Sequence, residues 1–147
     1  MCIRDSTLIM KPKFVVCDEP TSMLDVSIRI SIMDLMLNLA KDLEVSYLYI
    51  THDLAVARYM CDRIAVMFNG KIVEIAETED LLNNPIHPYT KRLISSIPIP
   101  DPSHKRETYE VNFQELDSLI ADNPNSGEMI EISSNHFVAT HDVKGIL

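Results

Sequence analysis

Glycine is scarce in this chain: only Gly70, Gly127 and Gly145 occur among 147 residues. A loop that wraps phosphate in successive backbone amides needs several glycines close together, so this sequence cannot build one. No apolar run approaches the roughly 20 residues of a membrane-spanning helix, and the N-terminus lacks the long apolar stretch of a secretory signal. The cysteines are few and far apart. Cys2, Cys17 and Cys61 show no metal-ligand spacing and are expected to be free thiols in a reducing compartment. Basic clusters are missing too. The net charge is −9, and it is uneven: residues 1–106 carry 14 acids and 12 bases, residues 107–147 carry 8 acids and only Lys144. That balance argues against nucleic acid as a partner.

What is present suits a globular protein. Apolar residues make up 46% of the chain, enough for one domain with a modest core and a tail. Phe14-Val15-Val16-Cys17 reads as a buried parallel strand that ends at Asp18-Glu19-Pro20, because Pro20 cannot donate to a ladder. A helix follows to about Leu43, capped by Asp25 or Ser27, with Ile28, Ile32, Leu35, Leu39 and Leu43 on one face. Tyr47-Leu48-Tyr49-Ile50 is a second buried strand, ending in Thr51-His52-Asp53. Strand, helix and strand in about 40 residues make a βαβ unit, so the two strands should be parallel. Their polar ends then emerge on one sheet edge, the edge where open α/β sheets bind ligands.

Further along, the pattern predicts a short helix over Leu54–Cys61. A hairpin of Arg63–Phe68 and Lys71–Ala76 turns on Asn69-Gly70. Thr78 is expected to cap a short helix through Leu82, and Tyr89–Ile97 reads as another helix preceded by Pro88. Pro98, Pro100 and Pro102 mark a boundary before the acidic tail. Within the tail, Met129–Ser133 and His136–Thr140 can pair around Ser134-Asn135.

Two polar clusters carry the chemistry. Adjacent acids at a strand end are what a magnesium-dependent nucleotide hydrolase uses, one for the metal and one to polarise water. Alone, Asp18-Glu19 is equally compatible with a strand that ends in solvated acids. His52 at the neighbouring strand end could donate to a terminal phosphate, or it could simply cap a helix or sit in the core, the commoner case for a lone histidine. Both clusters on one edge of one βαβ unit favour the chemical reading.

At this point the sequence resembles a known family. Phe14–Glu19 resembles the Walker B strand of ABC ATPases. Pro20-Thr21-Ser22-Met23-Leu24-Asp25 is similar to their D-loop, with Met23 where alanine is usual. Ile50-Thr51-His52-Asp53 is similar to the switch-histidine segment. Asn84-Pro85-Ile86-His87-Pro88-Tyr89-Thr90-Lys91-Arg92-Leu93, continued by Ser95–Pro100, resembles the segment after the ATPase core in oligopeptide and dipeptide importers. Glu131–Ser133 and His136–Val138 resemble the end of such subunits. The tail has no cysteine, so the metal–sulfur site of some relatives is not expected.

The resemblance implies the C-terminal half of a P-loop NTPase-type ABC ATPase domain: an α/β fold of parallel strands with flanking helices, then a β-hairpin and a small C-terminal extension. It implies Glu19 and His52 as catalytic residues, Asp18, Ser22 and Asp25 as cofactor-binding residues, and Asp18 as the Mg²⁺ residue, directly or through water. The cofactors would be ATP and Mg²⁺. The partners would be a second ATPase subunit, transmembrane permease subunits and a solute-binding protein, with no nucleic acid, at the cytoplasmic face of the membrane. The expected organisation is a leader over 1–7, the C-terminal part of the ATPase domain over 8–83, the importer-type segment over 84–106 and an acidic extension over 107–147. The Walker A loop, Q-loop and Leu-Ser-Gly-Gly-Gln signature are not found, so the chain is expected to be truncated and inactive alone. The alternative is a non-catalytic module that pairs with a full-length ABC ATPase. An ABC ATPase of DNA repair or translation fits the acidic chain less well. The transported solute, whether peptide, nickel or glycoside, stays open.

Overall fold

A computed structural model describes residues 12–96 and 128–139. These fall in two compact units, the first ending at Met60 and the second beginning at Cys61. The leader, the prolines at 98, 100 and 102, and most of the acidic tail lie outside the described residues.

The first unit holds β1 (Phe14–Asp18), α1 (Val26–Leu43), β2 (Ser46–Ile50) and α2 (Leu54–Met60). β1 and β2 pair in parallel, from Phe14 opposite Ser46 to Asp18 opposite Ile50. Glu19 N extends the ladder by donating to Ile50 O at 3.0 Å, so the chain stays in register one residue beyond β1. The βαβ reading holds. The double-sided burial of its strands does not, because β1 and β2 alternate along their length. Phe14 and Val16 are 57% and 56% exposed, Leu48 and Ile50 49% and 46%. All four share one face in this register, and among the described residues none covers that face.

α1 matches its predicted length but not its predicted face. Ile28, Leu35 and Leu43 are exposed, whereas Met33 and Met36 are buried. The inward stripe runs Arg29, Met33, Met36, Ala40, an i, i+4, i+7, i+11 series. Apolar residues stand on several faces of this helix, so periodicity alone chose the wrong one. Asp25 occupies the N-cap position, but its side chain makes no capping bond; its carbonyl accepts the first intrahelical bond, from Arg29 N at 2.8 Å. The helix ends at Glu44 in the left-handed conformation, φ 52°.

In the second unit β3 (Arg63–Phe68) and β4 (Lys71–Glu77) form the predicted hairpin. Asn69 and Gly70 both have positive φ, 46° and 75°, as a tight two-residue turn requires. α3 (Thr78–Asn83) follows. Thr78 lies inside it rather than capping it, and donates instead to Cys61 O at 2.5 Å. α4 (Pro88–Ser95) begins one residue earlier than expected, with Pro88 in its first turn. His87 is its cap, accepting from Tyr89 N at 3.1 Å. β5 (Met129–Ser133) and β6 (His136–Ala139) are the predicted late hairpin, with Asn135 left-handed in the turn. They extend the sheet in the order β3-β4-β6-β5. Ile64, Val66, Val73, Ala76, Leu81, Val138 and Ala139 are its buried apolar residues.

The polar interior of this unit was not foreseen. Glu74 is fully buried. It accepts from Ile86 N at 2.8 Å, from His87 N at 3.1 Å and from His136 Nε2 at 2.7 Å. His136 Nδ1 reaches Asp80 at 2.9 Å. Hydrogen bonds from Asn84 and then His136 hold the Asp80 carboxyl below the usual carboxylate range. Among the described residues no helix is long and apolar enough to cross a membrane.

Two outcomes follow from this packing. The exposed strip of Phe14, Val16, Leu48 and Ile50 should make the chain self-associate at micromolar concentration; a monodisperse monomer with a sharp, concentration-independent unfolding transition would contradict this. Because the Asp80 carboxyl is depressed, its contribution to stability is present above the ordinary carboxylate pKa and is lost as pH falls through the depressed value. Asp80→Asn should therefore lower the melting temperature at pH 7 and matter progressively less below about pH 4, as paired thermal melts would show.

Candidate functional site

β1 and β2 deliver their polar ends to the same edge because they are parallel and in register. Glu19 leaves β1 with φ 41°, a left-handed conformation that costs a residue with a Cβ about 1–2 kcal/mol. A short turn maintains it: Ser22 N and Ser22 Oγ both donate to Glu19 O, at 3.2 and 3.0 Å. The result is a direct hydrogen bond between the two clusters, His52 Nδ1 to Glu19 Oε1 at 2.7 Å. With Nδ1 committed to Glu19, Nε2 is the ring nitrogen left to face a ligand.

Around this contact is a cavity of about 60 Å³ lined by Glu19, Thr21, Ser22, Arg29, Tyr49, Thr51, His52, Asp53 and Val56. Three of the five expected site residues line it: Glu19, Ser22 and His52. Asp18 and Asp25 do not. Asp18 is the exposed last residue of β1, and Asp25 is exposed at the head of α1. The Ser22 hydroxyl donates to the Glu19 carbonyl, which makes its observed role the fixing of Glu19.

The cavity also contains residues that sequence reasoning did not single out. Tyr49 OH and Thr21 Oγ1 are 3.0 Å apart and tie the turn after β1 to β2. Asp53 caps α2, accepting from Ala55 N at 2.9 Å and Val56 N at 3.4 Å, and it faces Arg29 at 3.6 Å. A basic side chain in the first turn of a helix is unfavourable to the helix dipole. That was the available signal that Arg29 has an acidic partner.

Chemically, the exposed carboxylate of Glu19 can accept a proton from water, and the Nε2 side of His52 can orient an anion. Mg²⁺ in nucleotide sites takes one or two carboxylates, with phosphate and water completing its shell, and Asp18 is an exposed carboxylate at the strand end. Among the described residues no group of three His, Cys, Asp or Glu is placed to enclose a metal, so Asp18 would be a single protein contribution. A triphosphate fits less well on these residues alone. Glu19 and Asp53 line the cavity as acids, and Arg29 and His52 are the only lining side chains that offer positive charge or a ring N–H. Burial pushes the Cys17 and Cys61 thiols up, away from reactive thiolates.

The fold is mixed α/β and compatible with the C-terminal portion of an ABC ATPase. Comparison with known proteins narrows this. Residues 73–124 match the family described as "Oligopeptide/dipeptide transporter, C-terminal region". The chain is 48% identical over 132 residues to the oligopeptide transport ATP-binding protein OppF of Streptococcus pyogenes serotype M1, covering 89% of this chain and 42% of that protein. It is 46% identical over 131 residues to the dipeptide transport ATP-binding protein DppF of Lactococcus lactis subsp. cremoris, covering 89% and 41%. It is 39% identical over 141 residues to the glutathione import ATP-binding protein GsiA of Pectobacterium atrosepticum, covering 94% and 23%. Over most of its length the chain is thus similar to the C-terminal part of ATP-binding proteins of oligopeptide and dipeptide transport. It spans less than half the length of these curated relatives.

The left-handed backbone at Glu19 gives a direct test of the local geometry. Glu19→Gln and Glu19→Gly both remove the carboxylate, but only glycine relieves the positive φ. The glycine variant should be the more stable of the two by about 1 kcal/mol, measured by denaturant unfolding. Equal stabilities would mean that the turn carries no such strain.

Proposed function

We propose that this chain acts as the C-terminal part of the ATP-binding subunit of a peptide-type ABC importer. In this reading residues 8–83 are the C-terminal part of the ATPase domain, with β1, β2 and their helices belonging to a P-loop-type sheet. Residues 84–106 are the importer-type segment and 107–147 an acidic extension. The observation that supports the reading is the 2.7 Å hydrogen bond between Glu19 and His52. It unites two motifs 33 residues apart at the ligand-binding edge of a parallel pair.

Glu19 would polarise the attacking water, His52 would hold the γ-phosphate side of the site, and Asp18 would serve Mg²⁺. Ser22 and Asp25 would belong to the D-loop, and Asp25 would face a second ATPase subunit. When bound, Mg²⁺ neutralises charge on the phosphate oxygens; the chain's own residues place the water and keep the imidazole turned towards the site. Permease subunits in the membrane and a solute-binding protein would complete the transporter, with this subunit on the cytoplasmic face. Peptide is the solute class favoured by the match over residues 73–124.

Two measurements test the proposal. The chain alone should show no micromolar binding of Mg-ATP by calorimetry, because it supplies acids and few donors to a polyanion; micromolar affinity would refute the division of labour. In a chimaeric subunit, this chain would replace the matching region of the Streptococcus pyogenes relative. There, Glu19→Gln should keep Mg-ATP binding and lower turnover by about 10²–10⁴-fold. Turnover within about twofold of the unsubstituted chimaera would exclude Glu19 as the base.

A further inference from the structure

The second unit contains a buried charge cluster that the proposed ATP site does not use. Glu74, in the middle of β4, is fully buried, and His136 at the start of β6 is 1% exposed. Residues so buried are seldom charged unless paired. Here the Glu74 carboxylate gathers three donors: the amides of Ile86 and His87 and the Nε2 of His136. The other ring nitrogen of His136 meets Asp80 of α3. Carboxylate oxygens therefore stand opposite both ring nitrogens, so the one imidazole bridges two acidic side chains.

The late hairpin is held on one side only. Among the described residues β6 pairs with β4 at two positions, Glu74 with Val138 and Ile75 with Phe137, and buries Val138 and Ala139 there. β5 lies at the sheet edge with Ile130 and Ile132 exposed. The turn before α4 is in a similar position, since Glu74 accepts two of its amides. His87 in turn caps α4 through Tyr89 N.

We propose that residues 128–139 form a releasable strap. Through the shared carboxylate of Glu74, His136 locks this strap and the 84–88 turn into a single cooperative element. His136 and the turn are joined because both bond to the Glu74 carboxyl. Taking His136 away leaves Glu74 buried without its side-chain partner, and a buried carboxyl that has lost a hydrogen bond is driven towards water. As it moves, the amides of Ile86 and His87 lose their acceptor. Strap and turn therefore open together, and the start of α4 loosens with them.

Hydrogen exchange by mass spectrometry on the full 147-residue chain tests this. In His136→Gln, peptides covering 129–139 and 84–89 should both exchange faster, each by about tenfold or more. Peptides of the β3–β4 turn and of β2 should be unchanged. Faster exchange in 129–139 with wild-type exchange in 84–89 would overturn the coupling, and no change in either would overturn the lock. If His136→Gln instead loses protection throughout the second unit, Asp80→Asn decides. It acts at the partly exposed end of the cluster, and it should accelerate both segments to a similar, smaller extent. A response confined to one segment would again overturn the proposal.

Discussion

The parallel pairing of β1 with β2 is the constraint on which the first unit depends. Its register sets Asp18 opposite Ile50, and one further ladder bond places Glu19 beside the end of β2. From there a positive φ and two bonds from Ser22 aim the carboxylate at His52. If β2 were shifted by a single residue, its side chains would exchange faces, and the Thr51-His52-Asp53 cluster would be presented differently. The strength of the Glu19–His52 bond is secondary, since an exposed pair of this kind adds at most about 1 kcal/mol. Its position is fixed by the backbone, which holds the geometry whether or not the bond is made.

Arg29 shows how the helix between the strands contributes. It heads the stripe that continues through Met33 and Met36, so the packing that buries the methionines also carries the guanidinium to the cavity. There it lies 3.6 Å from Asp53, the residue that caps α2. Core packing and site electrostatics are thus set by one helix orientation.

Much of this was legible in the sequence. The strands, the Asn69-Gly70 hairpin and the convergence of Glu19 with His52 follow from short-range signals: an apolar run stopped by Pro20, a two-residue turn, and the rule that a βαβ unit is parallel. Other features were not legible, for reasons tied to particular residues. The buried face of α1 was hidden because Ile28, Leu35 and Leu43 offered a second apolar stripe as regular as the true one. Asp25 takes the N-cap position of α1 without a side-chain capping bond, and the Thr78 hydroxyl is taken by Cys61 O. The burial of Glu74 and His136 could not be seen locally, because their partners lie 62 residues apart in the chain. A glutamate in a strand reads as a solvent-facing residue until its long-range partner is known.

That separation also bears on the order of assembly. β3 and β4 are joined by a two-residue turn and can pair in microseconds. β6 must be recruited from much further along the chain, and the closure entropy of that separation has to be met before any contact forms. The sheet should therefore grow outward from the β3–β4 ribbon, with the last two strands arriving as a preformed pair. Until they arrive, one edge of β4 has unpaired amides and carbonyls and can capture a strand from another molecule. In the second unit it is thus the order in which strands pair, more than the finished sheet, that decides exposure to misassembly.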